Sequence, residues 1–188
     1  MKTYVSLLRG INVSGQKKIL MTELVALYKN LEFNNVRTYI QSGNVVFNAP
    51  SKIPIENIIN KIEEKIYDKF NFNVTVIIRS IEELKNIINN NPYLVEKNFN
   101  EEKIYVTFLS KLPAKLLVES LKIIDHSPDR FIISGNEIYL SLANGYGTTR
   151  LSNNFFENKL RLPATTRNWK TVNKLYQLAL EQNQLNII

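Results

Sequence analysis

The sequence contains no cysteine and only one histidine, His126. Without thiols the chain forms no disulfide, iron–sulfur cluster or thiolate nucleophile, and a single imidazole does not make a zinc site. No apolar run approaches the roughly 20 residues that a membrane-spanning helix needs. Met1 and Lys2 lead directly into a short apolar segment, so we expect no signal peptide. We therefore expect a cytoplasmic protein with no metal, no cofactor and no membrane partner.

Basic residues are concentrated near the two ends of the chain. The formal net charge is +7, from 24 basic and 17 acidic residues. Residues 1–50 and residues 144–188 each contain six basic and two acidic side chains, whereas residues 51–143 contain twelve and thirteen. If the two ends meet in the fold, their basic excess would attract phosphate or another anion. The alternative is that the lysine-rich composition only reflects genome bias and solubility.

Residues 36–47, VRTYIQSGNVVF, alternate with a period of two, which predicts two strands. The tight turn between them is predicted at Ser42-Gly43-Asn44, since glycine supplies the positive φ that such turns require. One face of the first strand would then carry Arg37, Tyr39 and Gln41. This face is either an ordinary solvent-exposed side of a sheet or a recognition surface with a cation, an aromatic ring and an amide.

The order of the predicted elements is strand, helix, hairpin, helix, strand over the first part of the chain. The second helix has isoleucines at helical spacing after Pro54, and Ser80 with Glu83 predicts a capping box for a further short helix. A related series begins with a strand at residues 104–109 and includes a second hairpin turned at Gly135-Asn136. The series ends with helices near residues 152–160 and 168–182.

This order predicts an α+β protein with two ferredoxin-like units of βαββαβ type in tandem, each an antiparallel sheet with helices packed on one face. The first unit, with an extended loop after its first strand, is expected over residues 1–92. The second, related unit, which ends in helices, is expected over residues 100–188.

The connection after the first strand is longer than the fold requires. The second unit makes the same connection through three residues, 110–112, whereas the first uses residues 9–20. Surplus loop length is often functional. The backbone amides and cations of this loop suit a phosphate or a carboxylate. Its candidate groups are Arg9, Asn12, Ser14, Lys17 and Lys18.

Two segments near the chain end are further candidates for anion binding. Residues 165–169 are predicted to begin the last helix, whose N-terminus would attract an anion or simply be capped by threonine. Residues 145–150, GYGTTR, lack the third glycine of a dinucleotide loop and leave only a weak anion-binding turn. Because Asp125, His126 and Ser127 are sequence neighbours, they predict a turn and not a catalytic triad.

Four segments, LLRGINVSGQKKI, VRTYIQSGNVVF, NNFFENKL and PATTRNWKTVNKL, resemble the bacterial domain of unknown function (DUF) family 1697. The resemblance implies a pair of ferredoxin-like units, and it implies no catalytic residue because the family has no assigned function. Ser14 stands where the family usually has glycine, which argues against a role that needs unusual backbone angles there. The matching motif positions are Arg9, Gly10, Asn12, Arg37, Gln41, Ser42, Asn44, Thr166, Arg167, Asn168 and Trp169.

These observations favour binding of a phosphate-bearing ligand, either a nucleotide or a nucleic acid, on a cationic surface shared by the loop, the first hairpin and the start of the last helix. One alternative is an enzyme that acts on a small phosphorylated or acylated substrate through lysine, tyrosine or carboxylate groups. Another is a protein-interaction module. The sequence leaves the ligand, turnover and oligomeric state open. The predicted ligand-binding residues are Arg9, Asn12, Lys17, Lys18, Arg37, Gln41, Ser42, Asn44, Thr166, Arg167 and Asn168.

Overall fold

The computed structural model describes residues 1–97, 99–123 and 125–184. This part of the chain contains two four-stranded antiparallel sheets and six α-helices. It divides into two compact units: unit 1 comprises residues 1–85 together with the chain from Lys174 onward, and unit 2 comprises residues 86–173. The sequence predicted one boundary, near residues 92–100. In the structure the first boundary lies between residues 85 and 86, and a second lies between residues 173 and 174, because the last helix contributes most of its length to unit 1. Residues 185–188 of the expected second unit lie outside the described residues.

Unit 1 is built around a sheet with the strand order β2-β3-β1-β4, in which all neighbouring strands are antiparallel. Residues 4–7 of β1 pair with both β3 and β4, so β1 is central. The elements of unit 1 in chain order are β1 (Lys2–Leu8), α1 (Met21–Asn30), β2 (Asn34–Tyr39), β3 (Asn44–Ala49), α2 (Ile55–Phe70), β4 (Val76–Ser80) and α3 (Ile81–Asn89), whose last four residues belong to unit 2.

The core of unit 1 lies between its sheet and the helices α1 and α2. Ile58, Ile62 and Ile66 of α2 are fully buried, as the isoleucine spacing predicts. They pack with Tyr28 of α1 and Phe47 of β3, whose rings meet edge to face at 5.3 Å. Each fully buried isoleucine stabilises the fold by about 1.5–3 kcal/mol relative to an exposed one. Two loop residues, Ile11 and Ile19, insert into the same core; this fixes both halves of the long connection.

Unit 2 repeats this arrangement with the strand order β6-β7-β5-β8. Two short 3₁₀ turns, Pro92–Val95 and Glu101–Lys103, precede its sheet. Its core joins α4 and α5 to one face of the sheet through Leu121, Phe156 and Leu160. Its elements are β5 (Ile104–Leu109), α4 (Lys115–Lys122), β6 (Arg130–Ser134), β7 (Glu137–Ser141), α5 (Asn153–Leu160), β8 (Ala164–Asn168) and the first five residues of α6 (Trp169–Gln184), which belongs to unit 1 from Lys174 onward.

Several predicted turns and caps are confirmed. The Ser80 backbone amide donates to Glu83 Oε2 at 2.7 Å, and the Glu83 amide donates to Ser80 Oγ at 3.2 Å, which is the predicted capping box. In the second hairpin Ser134 is directly opposite Glu137, so Gly135-Asn136 forms the predicted two-residue turn.

The first hairpin differs from its prediction. Tyr39 is opposite Asn44, so the connection contains four residues, 40–43, and Asn44 belongs to β3. Ile40 has φ 50°, outside the strand region, so β2 ends at Tyr39 and the predicted strand residue Gln41 lies in the connection. The loop is closed by the Asn44 side chain, whose Nδ2 donates to the Tyr39 carbonyl at 3.1 Å and to Ser42 Oγ at 2.8 Å.

The substitution Gly43→Ala should reduce the free energy of unfolding by about 2–4 kcal/mol. Gly43 has φ +74°, and an added Cβ would lie 2.7 Å from Leu8 Cβ and 2.8 Å from Ile11 Cδ1. Urea unfolding measures the change. The matched control is Gly135→Ala, where φ is +60° but an added Cβ would come no closer than 3.9 Å, to Glu137 Oε2; it should lose only about 1 kcal/mol. Equal losses in the two variants would show that the close approach of Gly43 is unimportant.

Candidate functional site at one end of the unit 1 sheet

The side chain of Asn12 holds the long loop in place. Its Nδ2 donates to the carbonyls of Ile19 and Gln41, each at 2.9 Å. Its Oδ1 accepts from the Ile19 amide at 2.9 Å. One amide group therefore ties the start of the loop to its end and ties both to the hairpin connection 40–43. Asn12, a predicted ligand contact, has a structural role here.

The middle of the loop is a small hairpin of its own. Val13 and Gln16 form an isolated antiparallel bridge, and the Gln16 amide donates to the Val13 carbonyl at 2.9 Å. Ser14 and Gly15 between them have φ 50° and φ 76°. Positive φ at both central residues is the pattern of a type I′ turn. Ser14 thus adopts a positive φ, although the serine at this position argued against an unusual backbone angle. The reason is that a type I′ turn requires positive φ at both of its central residues.

The loop is also fixed to the neighbouring strands. The Arg9 amide donates to the Thr75 carbonyl at 2.9 Å, and the Leu8 amide donates to the Gly43 carbonyl at 2.8 Å. Lys17 Nζ reaches the Asn73 carbonyl at 2.7 Å. The loop, the hairpin connection 40–43 and the residues just before β4 therefore meet at one end of the unit 1 sheet.

The predicted cations of unit 1 differ in their surroundings. Lys17 and Lys18 are exposed, and Arg9 is half-buried at the base of the loop. Arg37 on β2 has 49% of its side chain exposed and lies 3.5 Å from the Glu181 carboxylate of α6. An exposed ion pair of this kind contributes little to stability, but it offsets the charge that Arg37 would present. Of the polar candidates, Gln41 is exposed, Ser42 is half-buried and Asn44 is buried.

The three candidates of unit 2 do not form the start of a helix. Thr166, Arg167 and Asn168 lie in β8, where they pair with Thr107, Val106 and Tyr105 of β5. The sequence analysis predicted that they begin the last helix. The prediction was wrong because it missed the fourth strand of the sheet, β8, in which their backbone pairs with β5. Helix α6 begins at Trp169, and Asn168 Oδ1 accepts from the Thr171 amide at 2.8 Å as its cap.

Arg167 does not supply the surface charge that was predicted. Its side chain is 8% exposed, and its Nη1 donates to Thr165 Oγ1 at 2.7 Å and to the Thr166 carbonyl at 2.8 Å. Burial lowers the pKa of the Arg167 guanidinium to about 10. It therefore remains charged at neutral pH, but inside the protein.

Thr166 belongs to a hydroxyl network that sequence reasoning missed. Its Oγ1 lies 2.7 Å from Thr107 Oγ1 and donates to Asn153 Oδ1 at 2.6 Å. Tyr146 Oη donates to Thr166 Oγ1 at 3.2 Å and accepts from the Asn153 amide at 3.0 Å. The network fastens the loop at residues 145–150, a weak anion-binding candidate, to the interior of unit 2. No spacing pattern marks these residues in the sequence, because they come from four separate elements.

Unit 2 also contains an open pocket of about 570 Å³ beside His126. The His126 ring packs edge to face on Phe131 and Phe155, at 5.5 and 5.1 Å. Asp129 on the same wall accepts from the Ala143 amide and from Thr149 Oγ1, so both of its oxygens have structural partners. Among the described residues, no three imidazole or carboxylate groups come together in a way that could hold a metal ion.

The architecture places the chain in the class of α+β proteins built on two four-stranded antiparallel sheets. It is similar to the solved structure of conserved bacterial protein SP0830 from Streptococcus pneumoniae, with a TM-score of 0.74 and 22% sequence identity over 95% of this chain and 98% of that chain. At this identity the similarity shows the fold alone.

The chain belongs to the family described as "Protein of unknown function (DUF1697)", whose family model matches residues 1–139. This confirms the family resemblance; two of the four segments that suggested it, NNFFENKL and PATTRNWKTVNKL, lie beyond the matched residues. Among curated proteins, none matches the chain. Within the described residues, no helix combines the length and apolarity needed to cross a membrane.

The substitution Asn12→Ala should loosen the loop, since it removes three hydrogen bonds at once. We expect a loss of about 1–3 kcal/mol in the free energy of unfolding and faster hydrogen exchange at the Ile19 amide. The amide of Val106, in unit 2, serves as the internal control and should exchange as before. Unchanged protection at Ile19 would contradict the role of Asn12.

The substitution Ser14→Gly should stabilise the protein by about 0.5–1 kcal/mol, because glycine adopts positive φ without the steric cost that serine bears. Thermal unfolding measures the shift. Gly15→Ala at the neighbouring turn position, with φ +76°, should change stability in the opposite direction. A destabilised Ser14→Gly variant would be inconsistent with the turn described above.

Proposed function

We propose that the loop and hairpin end of the unit 1 sheet binds a phosphate-bearing ligand, either a nucleotide or a nucleic acid. The observation that carries the proposal is the exposure of Lys17 and Lys18 on a loop whose backbone Asn12 fixes by three hydrogen bonds. A fixed loop has already lost the conformational entropy that a flexible one would lose on binding. Arg9 at the base of the loop and the exposed Gln41 complete the candidate site. Ser42 and Asn44 support its backbone.

The local charge supports an anionic ligand. Residues 1–22 contain four basic and no acidic side chains, and residues 33–55 contain two basic and no acidic ones. The loop and the hairpin connection come from these two segments, so neither segment supplies a carboxylate that would offset the charge of the lysines. Arg37 contributes less than the sequence predicted, since Glu181 lies beside it. The proposal therefore depends on unit 1 alone, with Lys17 and Lys18 as the main charges.

We further propose that each unit is of ferredoxin-like type. The strand orders β2-β3-β1-β4 and β6-β7-β5-β8, each with the chain order strand, helix, strand, strand, helix, strand, support this assignment. In such a unit the helices cover one face of the sheet, and the connections at the strand ends are available for binding. Fold alone does not imply a ligand, so the argument for binding stays with the loop.

Fluorescence anisotropy with labelled single-stranded RNA, single-stranded DNA and duplex DNA over a salt series tests the proposal. The double variant Lys17→Ala/Lys18→Ala should reduce the slope of log affinity against log salt by about 2, because each lysine that contacts a phosphate contributes about 1. The matched control is Lys61→Ala/Lys65→Ala, which removes two exposed lysines from α2. Absence of binding to all three probes at low salt, or an equal effect of the control, would refute the proposal.

A further inference from the structure

Three large aliphatic side chains project into solvent around Asn12. Val13 is 59% exposed, Leu20 is 67% exposed and Ile40 is 52% exposed. Val13 follows Asn12, Leu20 follows Ile19, and Ile40 precedes Gln41. Because Asn12 Nδ2 lies 2.9 Å from the carbonyl oxygens of both Ile19 and Gln41, the three side chains start from backbone positions close together. We call Val13, Leu20 and Ile40 the aliphatic patch. Single exposed aliphatics are ordinary, but a group of three around one hydrogen-bonding atom points to a binding surface.

Ile40, one of the three patch residues, is held in a strained conformation. Its φ of 50° is in the left-handed region, which a β-branched residue rarely adopts. The carbonyls on either side are clamped by two asparagines: Asn44 Nδ2 bonds the Tyr39 carbonyl at 3.1 Å, and Asn12 Nδ2 bonds the Gln41 carbonyl. The folded chain thus bears backbone strain while it exposes the side chain to water. Strain of this kind is concentrated at ligand sites.

The charge around the aliphatic patch decides against a second copy of this chain as its occupant. Lys17 and Lys18 are exposed on the same loop, and residues 1–22 and 33–55 contain no acidic side chain. Two copies that met through this patch would bring like charges together. The surface is complementary to an anion that also has apolar parts.

The polar groups between the aliphatic side chains distinguish a nucleic acid from a lipid surface. Ser14, Gln16 and Gln41 are exposed and are close to the patch residues in the chain: the first two follow Val13, and Gln41 follows Ile40. Insertion into hydrocarbon would strip these groups of water without giving them partners. A nucleobase offers an apolar face together with hydrogen-bonding edges that amide side chains can satisfy.

The openness of the aliphatic patch distinguishes a single strand from the other nucleic-acid ligands. Sites for isolated nucleotides are concave and enclose most of the ligand, whereas all three patch side chains are more than half exposed. The base faces of a duplex are covered by their stacked neighbours and do not reach such a surface. Unpaired bases along a strand do reach it, and several weak contacts in succession add up.

We propose that unpaired bases of a single-stranded nucleic acid lie on Val13, Leu20 and Ile40 while the adjoining phosphates lie on Lys17 and Lys18. The inference rests on the proposed phosphate-binding function and adds the part of the ligand that is not phosphate. Ile40 makes the central base contact, and the exposed Gln41 amide bonds a base edge.

The substitution Ile40→Gly tests this assignment because it should move stability and binding in opposite directions. Glycine relieves the strain at φ 50°, so the thermal unfolding midpoint should rise, whereas loss of the side chain should weaken binding of a short labelled RNA about tenfold. The salt slope should stay unchanged, since no phosphate contact is lost. The matched control is Leu116→Ser, which removes an aliphatic side chain that is 85% exposed in unit 2; it should leave binding unchanged.

An abasic oligonucleotide of the same length separates this inference from the proposed function. Salt-dependent binding of the abasic probe, about tenfold weaker than the RNA and unaffected by Ile40→Gly, is the expected result. Equal affinity for the abasic probe and the RNA, or an Ile40→Gly variant that binds RNA as tightly as the original protein, would overturn the base contact and leave phosphate binding intact. Absence of salt-dependent binding to either probe would refute both. Tighter binding to vesicles of phosphatidylglycerol than to RNA, lost in Ile40→Gly, would assign the patch to a lipid surface instead.

Discussion

The hydrogen bonds of the Asn12 side chain are the constraint on which the candidate site depends. A loop of this length would normally lose its order at the end of a sheet, yet three short bonds from one amide join its beginning, its end and the neighbouring hairpin connection. Ile11 and Ile19 on either side fasten it to the core of unit 1. The same hydrogen bonds bring the backbone positions of the exposed aliphatic residues close together and support the strained backbone at Ile40. They also fix the backbone of the loop that contains Lys17 and Lys18. The Asn12 side chain, which the sequence predicted to contact the ligand, therefore holds the backbone of the candidate site in place.

Local patterns in the sequence predicted most of the elements, because they rest on spacing and on turn chemistry. The α2 helix, the Ser80–Glu83 capping box and the two-residue turn at Gly135-Asn136 all follow from residues close together in the chain. Strand β8 was missed because ATTRN has no alternation and its pairing with β5 is a long-range contact. Strands β4 and β8 are equivalent in the two units. Arg79 of β4 pairs with Val5, and Arg167 of β8 pairs with Val106. The last residue of each strand, Ser80 or Asn168, caps the helix that follows. The equivalence is visible only once both sheets are aligned by register.

The candidate site was predicted in part, and the differences have physical causes. Composition and loop length pointed to Lys17 and Lys18, and these are exposed on the surplus loop. Arg167 was chosen for its charge, but its position in a buried strand turns it into an internal hydrogen-bond donor. The exposure of Val13, Leu20 and Ile40 could not be foreseen, since no spacing pattern separates them from the buried loop residues Ile11 and Ile19. Their arrangement depends on a side-chain contact between residues 29 positions apart in the chain.

The most direct test of the central claim is a titration of the ¹⁵N-labelled protein with a short single-stranded RNA, followed by amide chemical shifts. If the Asn12-organised surface is the binding site, the shift changes should concentrate at residues 12–20 and 40–43, with little change along the outer face of α2. Saturable shifts concentrated around His126 and Arg150, with the loop unaffected, would contradict the account and move the binding site to the pocket of unit 2.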